Sequence, residues 1–459
     1  MSTGTFSHIP VDVPLIETKY RRIKTSIPVP ESLPLLNRLY KTESNSMHGQ
    51  MPIIWESAEG FQISDTWGNR WIDFTSTIFV SNAGHGNKEI LKALKQALSK
   101  PLVHTYTYPS VARIDYLEYL IDNTPANFEK AFLLSAGTEA TEAALKLMRL
   151  NAIKNNKRRP GIIAFEGNWH GRTLGAQLMS GNDSQKEWIG YKDPNIHHLP
   201  FPYPWREEAK ENPKEYFRNS IKSLCDKEGI NPEKDICGVM METFQGWGAI
   251  FYPTDFVQEV KKFCVDSNSL LTFDEMQSGF GRTGKLFGYM HYEVTPDIIC
   301  CGKGASSSLP LSIVLGSKDI MDLAEVGSMS STHSANPLCC VAGKVNLQEI
   351  IEKGLVDNSE KLGKIFHERL IGLKHKFSDY ISSVQGKGLI AALIFNSKDG
   401  EALSDLCNDI SLLCLQKGLL VVNTGRESIK LGPPLMIVEE ALLEGIDVLE
   451  ESISEAINK

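Results

Sequence analysis

An aspartate and a lysine close two successive apolar runs, and residues of those types at strand ends could do covalent amine chemistry. Leu271-Thr-Phe-Asp274 carries a carboxylate to its own end and runs into the glycine-rich stretch Glu275-Met-Gln277-Ser-Gly-Phe-Gly-Arg-Thr-Gly284. Asp297-Ile-Ile-Cys-Cys ends in Gly302-Lys303-Gly304, where flanking glycines leave the lysine uncrowded. Ligands of open α/β sheets gather at the carboxyl ends of strands, and a lysine placed there can serve as nucleophile or proton carrier. Taken singly, Asp274 could cap a turn and Lys303 could be a solvated surface lysine. Both at successive strand ends is a poor match to chance.

Two further segments have the same placement. Ser135-Ala-Gly137-Thr138 follows the apolar run 131–134 and opens a helix, so free N–H groups would face an anion beyond the strand end; an ordinary capped helix start reads the same way. Asn168-Trp169-His170-Gly171-Arg172-Thr173 follows the run 161–165. A tryptophan in such a loop ordinarily packs, and beside the other motifs it could face a ligand.

These motifs need a scaffold, and the chain alternates helical patterns with short apolar runs at 131–134, 161–165, 236–241, 270–274, 298–301 and 311–315. That alternation predicts an α/β domain with a mostly parallel sheet covered by helices. Residues 63–74 read as a hairpin turning at Gly68-Asn69. After Pro337 come amphipathic stretches at 340–352 and 359–374, strands around 389–395 and 419–422, and a last helix from Glu439. The expected organisation is an N-terminal arm at 1–45, lying over a surface or a partner rather than in a core, and a large domain at 87–335. A smaller α+β domain is expected from 46–86 together with 336–459.

Composition narrows the function. The 459 residues carry a net charge of -8 and no long basic tract, which excludes the usual nucleic-acid footprint and favours a small-molecule partner. Nine scattered cysteines without a C-x-x-C spacing read as reduced thiols of a cytoplasmic protein, with no metal site. The N-terminus has no signal-peptide pattern, and no apolar run reaches the roughly eighteen residues of a membrane span.

Together the Asp274 and Lys303 segments resemble the signature of class III aminotransferases, pyridoxal-phosphate (PLP) enzymes of fold type I, with the likeness running from about Trp55 to the C-terminus. The resemblance implies that Lys303 holds the cofactor as a Schiff base, that Asp274 meets the pyridine nitrogen and that Gln277 neighbours the ring hydroxyl. It implies that Gly137 and Thr138 bind the phosphate, that Trp169 stacks on the ring beside His170, and that Glu242 lies near the pocket. It also implies a homodimer in which Thr332, of Ser331-Thr332-His333-Ser-Ala-Asn336-Pro337, reaches the phosphate of the other subunit, so that active sites are shared. The implied reaction moves an amino group from an amine to a keto acid by a ping-pong mechanism. A lyase, racemase, decarboxylase or aminomutase on the same scaffold is the alternative.

The substrate end departs from the family pattern. Many members carry an arginine three residues before Pro-Pro-Leu and an acid shortly after Gln-Gly; here those places hold Lys430 and Trp247, and Thr243 replaces a usual proline. Lysine is a point charge and does not reproduce the arginine fork on a carboxylate. The donor therefore need not be an ordinary α-amino acid bound through its α-carboxylate at that position, and a terminal amine, an amino sugar or an amino alcohol is a candidate. Arg172 resembles the arginine with which relatives hold a distal carboxylate of glutamate, 2-oxoglutarate or 4-aminobutyrate, and Arg426 could also serve. A surface or structural ion pair is the other reading of each. The keto acceptor is expected to be an acid such as 2-oxoglutarate or pyruvate.

Overall fold

The computed structural model describes residues 6–459. It divides into two compact units, one of Glu89–Gly246 with Ile250–Lys353, the other of the described residues up to Lys88 with Trp247–Ala249 and Gly354–Lys459.

The larger unit is built on seven strands: β1 Lys130–Leu134, β2 Gly161–Phe165, β3 Ile196–Leu199, β4 Ile236–Glu242, β5 Leu270–Asp274, β6 Ile298–Cys301 and β7 Ser312–Gly316. Their spatial order is β1-β7-β6-β5-β4-β2-β3. Only β7 runs against its neighbours, so the sheet is mostly parallel, as expected. β4 and β5 are buried along their whole length, which is why they read as unbroken apolar runs. Register then does the positioning: Asp274 lies opposite Glu242 on one side and Cys300 on the other. Two carboxylates therefore emerge level at the same end of the sheet, and Lys303 follows β6 at that end.

The helix Gly137–Lys154 covers this sheet with Ala140, Ala144, Leu147 and Met148. Contact is close enough that a Cβ on Gly238 would lie 2.1 Å from Met148 Sδ. Pro337–Glu352 also belongs to the larger unit, although the sequence reading starts the small domain at 336. Its Gly343 sits against Tyr116 and Leu311, and its Lys344 pairs with Asp115.

The smaller unit is α+β. The expected hairpin is present, with Gln62–Ser64 antiparallel to Arg70–Asp73. Asp65 accepts from the N–H groups of Trp67 (2.9 Å) and Asn69 (2.8 Å), and Gly68 supplies a φ of +91°. Ile381–Lys387, Ile390–Phe395, Ser428–Leu431 and Val422–Asn423 form a second antiparallel sheet. Of the arm expected at 1–45, residues 1–5 lie outside the described residues, and the rest does not stay out of the core. Its strand Arg22–Ile23 pairs with Arg70–Asp73, and Ile23, Ile27 and Val29 are buried with Ile63, Trp71 and Leu415. Two-residue strands broken by prolines are too short to show a period.

Candidate active site

Asp274 is held from two sides. Its Oδ1 accepts from the Met276 N–H (3.0 Å), and its Oδ2 lies 2.9 Å from His170 Nδ1. The His170 backbone is fixed in turn, its N–H donating to Ser180 Oγ (2.9 Å) and its carbonyl accepting from Thr141 Oγ1 (2.8 Å). The imidazole is buried, and among the described residues its Nε2 has no partner. His170 thus stands behind the carboxylate and orients it.

Glu242, buried at the end of β4, accepts from the N–H groups of Trp169 (2.9 Å) and Gly246 (3.3 Å). Lys303 has a left-handed backbone, φ +45°, unusual for a residue other than glycine. Burial pushes its ammonium below the ordinary lysine value, against the pull of the Asp274 and Glu242 charges. An amine with a lowered pKa is a better nucleophile and base near neutrality.

Three glycines keep the space around these groups open. A Cβ on Gly137 or Gly302 would lie 2.8 Å or 2.6 Å from Met276 Sδ, so the thioether is wedged between the helix start and the approach to Lys303. One on Gly246 would come within 2.4 Å of Gln277 Nε2 and 2.9 Å of Glu242 Oε1. At the helix start Glu139 takes the N–H groups of Ser135 and Ala136, both at 2.9 Å. Those of Gly137 and Thr138 have no acceptor among the described residues, as at any open helix N-terminus. The Thr138 hydroxyl lies 2.6 Å from that of Thr173, which donates to Glu142. The backbone, more than this hydroxyl, is what remains for an anion.

The other expected residues fall in several places. The Arg172 guanidinium is exposed and lies 4.6 Å over the Trp169 ring. Thr332 is exposed, with its carbonyl 2.9 Å from His104 Nε2. Lys430, Arg426 and Trp247 belong to the smaller unit. Arg426 stacks 3.9 Å above Trp247 and pairs with Glu427 at 3.1 Å, so the ion pair and the aromatic contact are both real features of this arginine. The Trp247 carbonyl accepts from Ser428 Oγ (3.0 Å). Lys430 is buried, its ammonium 4.6 Å above the Phe79 ring. Phe79 ends a turn in which Ser76, Thr77, Ile78 and Phe79 have φ of 45°, 53°, 60° and 69°. Left-handed turns of this kind cost about 1–2 kcal/mol per residue. Asp73 helps to hold it, accepting from Thr75 N (2.7 Å) and Oγ1 (2.6 Å), while Ser76 Oγ donates to the Gly432 carbonyl (2.6 Å).

Glu275 was not among the expected site residues, although an acid directly after Asp274 was a visible signal. It is wholly buried and accepts from Thr243 Oγ1 (2.6 Å), Ser278 Oγ (2.6 Å), Gly288 N (2.8 Å) and Tyr289 N (2.7 Å). Burial raises its pKa and these four bonds oppose the rise. The carboxylate ties the glycine-rich loop carrying Gln277 to the end of β4, and Thr243 supplies a donor that proline could not. Thr243→Val is expected to lower the unfolding free energy by about 1–3 kcal/mol, the range for a buried acceptor losing its donor. An unchanged urea midpoint and slope would show that the hydroxyl contributes nothing.

The chain has relatives among known proteins. Residues 44–453 match the family model described as Aminotransferase class-III. The chain belongs to the class III aminotransferases. This enzyme is 31% identical over 411 residues to an acetylornithine aminotransferase of Caldanaerobacter subterraneus, covering 89% of this chain and 96% of the relative. It is 30% identical over 466 residues to an alanine/serine racemase of Pyrococcus horikoshii, covering 98% and 96%. A Bacillus anthracis aminotransferase of solved structure shares its fold, with a TM-score of 0.84 at 24% identity over 93% of this chain and 99% of that one. Class III aminotransferases work with PLP, and the residues present fit that group: a lysine of lowered pKa, a braced carboxylate, a helix N-terminus with open amides and glycines where a Cβ would intrude. Among the described residues no helix is long and apolar enough to cross a membrane, and no cluster of His, Cys, Asp and Glu could hold a metal ion.

Proposed function

We propose that this enzyme moves an amino group from an amine lacking the ordinary α-carboxylate anchor to a small keto acid, in two half-reactions, with PLP bound at the strand ends of the larger unit. The observation that carries the reading is Lys303, its ammonium disfavoured by burial within reach of Asp274 and Glu242 at the ends of neighbouring strands. When bound, PLP supplies an electron sink for the bond broken at the donor carbon. In this reading Lys303 Nζ would hold the cofactor covalently and, once the donor amine has displaced it, would carry the proton taken from that carbon. Asp274, steadied by His170, pairs with the pyridine nitrogen. Gln277 lies at the ring hydroxyl, Trp169 against the ring face, and Glu242 fixes the Trp169 backbone. The amides of Gly137 and Thr138 hold the phosphate.

Thr332, exposed in its own chain, fits a role at the phosphate of a second subunit, so the working form is a homodimer with shared sites, placed in the cytoplasm. Exposed Leu102, Val103, Tyr108 and Val111, in and after the stretch that meets the Thr332 loop, support that reading. Light scattering that returned a monomer at assay concentrations would end this part of it.

The donor class rests on Lys430 and Trp247. A lysine over the Phe79 ring gives one point charge instead of a directional fork, and Trp247 is covered by Arg426. Arg172, anchored on Trp169, is the candidate for the acceptor's distal carboxylate, with Arg426 second. Terminal amines, amino sugars and amino alcohols assayed with pyruvate and 2-oxoglutarate are expected to exceed α-amino acids at least about tenfold in kcat/KM, the scale of one lost bidentate contact. Efficient use of α-amino acids alone would sink this donor class.

A racemase is the second reading, favoured by the similarity to the Pyrococcus horikoshii protein. The two separate cleanly. With amine and no acceptor, transamination releases one carbonyl product per site, whereas racemisation inverts the amine and releases none.

A further inference from the structure

Asn346 lies within the helix Pro337–Glu352 and is completely buried, with Ala342, Gly343, Leu347 and Ile350 buried on the same helix. Asparagine is a poor helix former, and an amide taken out of water costs free energy unless its hydrogen bonds are replaced. Here only one end is satisfied. Nδ2 donates to the carbonyls of Gly304 (2.8 Å) and Ala305 (3.0 Å), while Oδ1 has no partner among the described residues. An apolar side chain of similar size would suit the helix better, so the amide's place is explained by the two carbonyls it holds.

Those carbonyls belong to the turn directly after Lys303. The turn is strained at both ends, with Lys303 at φ +45° and Ser307 at φ +53°, neither of them glycine. Within it the Ala305 N–H reaches back to the Gly302 carbonyl (2.9 Å), and Met276 Sδ packs where Gly302 has no side chain. Asn346 closes the remaining side.

We propose that Asn346 is a positioning residue for Lys303, holding the following turn so that the lysine keeps its left-handed backbone and its amine stays aimed at the strand ends. The proposal rests on the reading of Lys303 as the attachment lysine. The test uses full-length protein stripped of cofactor and titrated with pyridoxal phosphate. Its readouts are the absorbance of the covalent lysine linkage, the pH midpoint of that band, and the borohydride-trapped yield on Lys303 by peptide mass spectrometry.

Asn346→Leu is expected to weaken pyridoxal phosphate binding about tenfold or more, as follows from losing two hydrogen bonds, and to shift the band's midpoint. The cofactor-free protein should melt lower, because two buried carbonyls lose their donor there as well, but its loss of stability should be smaller than the loss of binding. Asn346→Asp is the second variant and decides the matter if the leucine protein does not fold. Protonated, the acid can donate one of the two bonds; ionised, it faces two carbonyl oxygens. Binding by Asn346→Asp should therefore recover as pH is lowered, relative to the wild type at each pH. Wild-type affinity and midpoint in the folded variants would overturn the proposal, as would a loss of binding matched by an equal loss of cofactor-free stability with no pH signature. If wild-type protein forms no linkage on Lys303, the reading beneath the proposal fails instead.

Discussion

Lys303→Ala is expected to reduce turnover by more than about a thousandfold, since it removes both the nucleophile and the group that carries the proton, and proton transfer by a placed side chain contributes about 10²–10⁴-fold on its own. The fold should survive the change. Burial already disfavours the ammonium, so its loss removes a desolvated charge, although Asp274 and Glu242 lose a cation that offsets them. Alanine also meets the same backbone strain at φ +45°. Single-turnover assays with a reconstituted sample, repeated with added methylamine, separate chemistry from binding. Partial return of proton transfer with the small amine is the expected result, and a variant retaining a tenth of wild-type turnover would remove Lys303 from the centre of the mechanism.

What made Lys303 legible was the sheet. Central parallel strands are buried on both faces, so β4, β5 and β6 appear as apolar runs, and the residue just past each run lies at the ligand end. β3 is not legible, for the complementary reason. It is an edge strand reading Ile-His-His-Leu, and two histidines break the apolar run that marks its neighbours. The N-terminal segment failed differently: Ile23, Ile27 and Val29 enter a core through strands too short to have a period.

The turn Ser76–Phe79 was invisible for a third reason. Left-handed backbone is signalled by glycine or asparagine, and this turn has neither; Asp73 and Gly432, remote or indirect partners in sequence, hold it instead. Asn346 and Glu275 share that character. Each is a polar residue whose meaning lies in bonds to a turn or loop that sequence spacing does not relate to it, forty-one and forty-two residues away for Ala305 and Gly304 in the case of Asn346. Thr243 departs visibly from the family pattern, but its purpose lies in the bond from its hydroxyl to Glu275, which no spacing in the sequence marks.

Asp274→Asn should show the second-largest effect, and the geometry gives it two separable parts. The amide keeps the shape of the acid, and its oxygen can still accept from the Met276 N–H. Its nitrogen then faces His170 Nδ1, which must become an acceptor, so the imidazole proton moves to Nε2. Nε2 is buried with no partner among the described residues, and an unsatisfied buried donor costs about 1–3 kcal/mol. Stability should fall by that amount, and His170→Leu in the Asp274→Asn background should recover little of it, because the orphaned imidazole donor is exchanged for an Asn nitrogen at 274 that has lost its acceptor. Activity should fall by about 10²–10⁴-fold and should not recover in the double variant, because the charge is still missing. Recovery of activity in the double variant would mean that the misplaced imidazole, and not the missing charge, caused the loss, and would remove the Asp274 carboxylate from the mechanism.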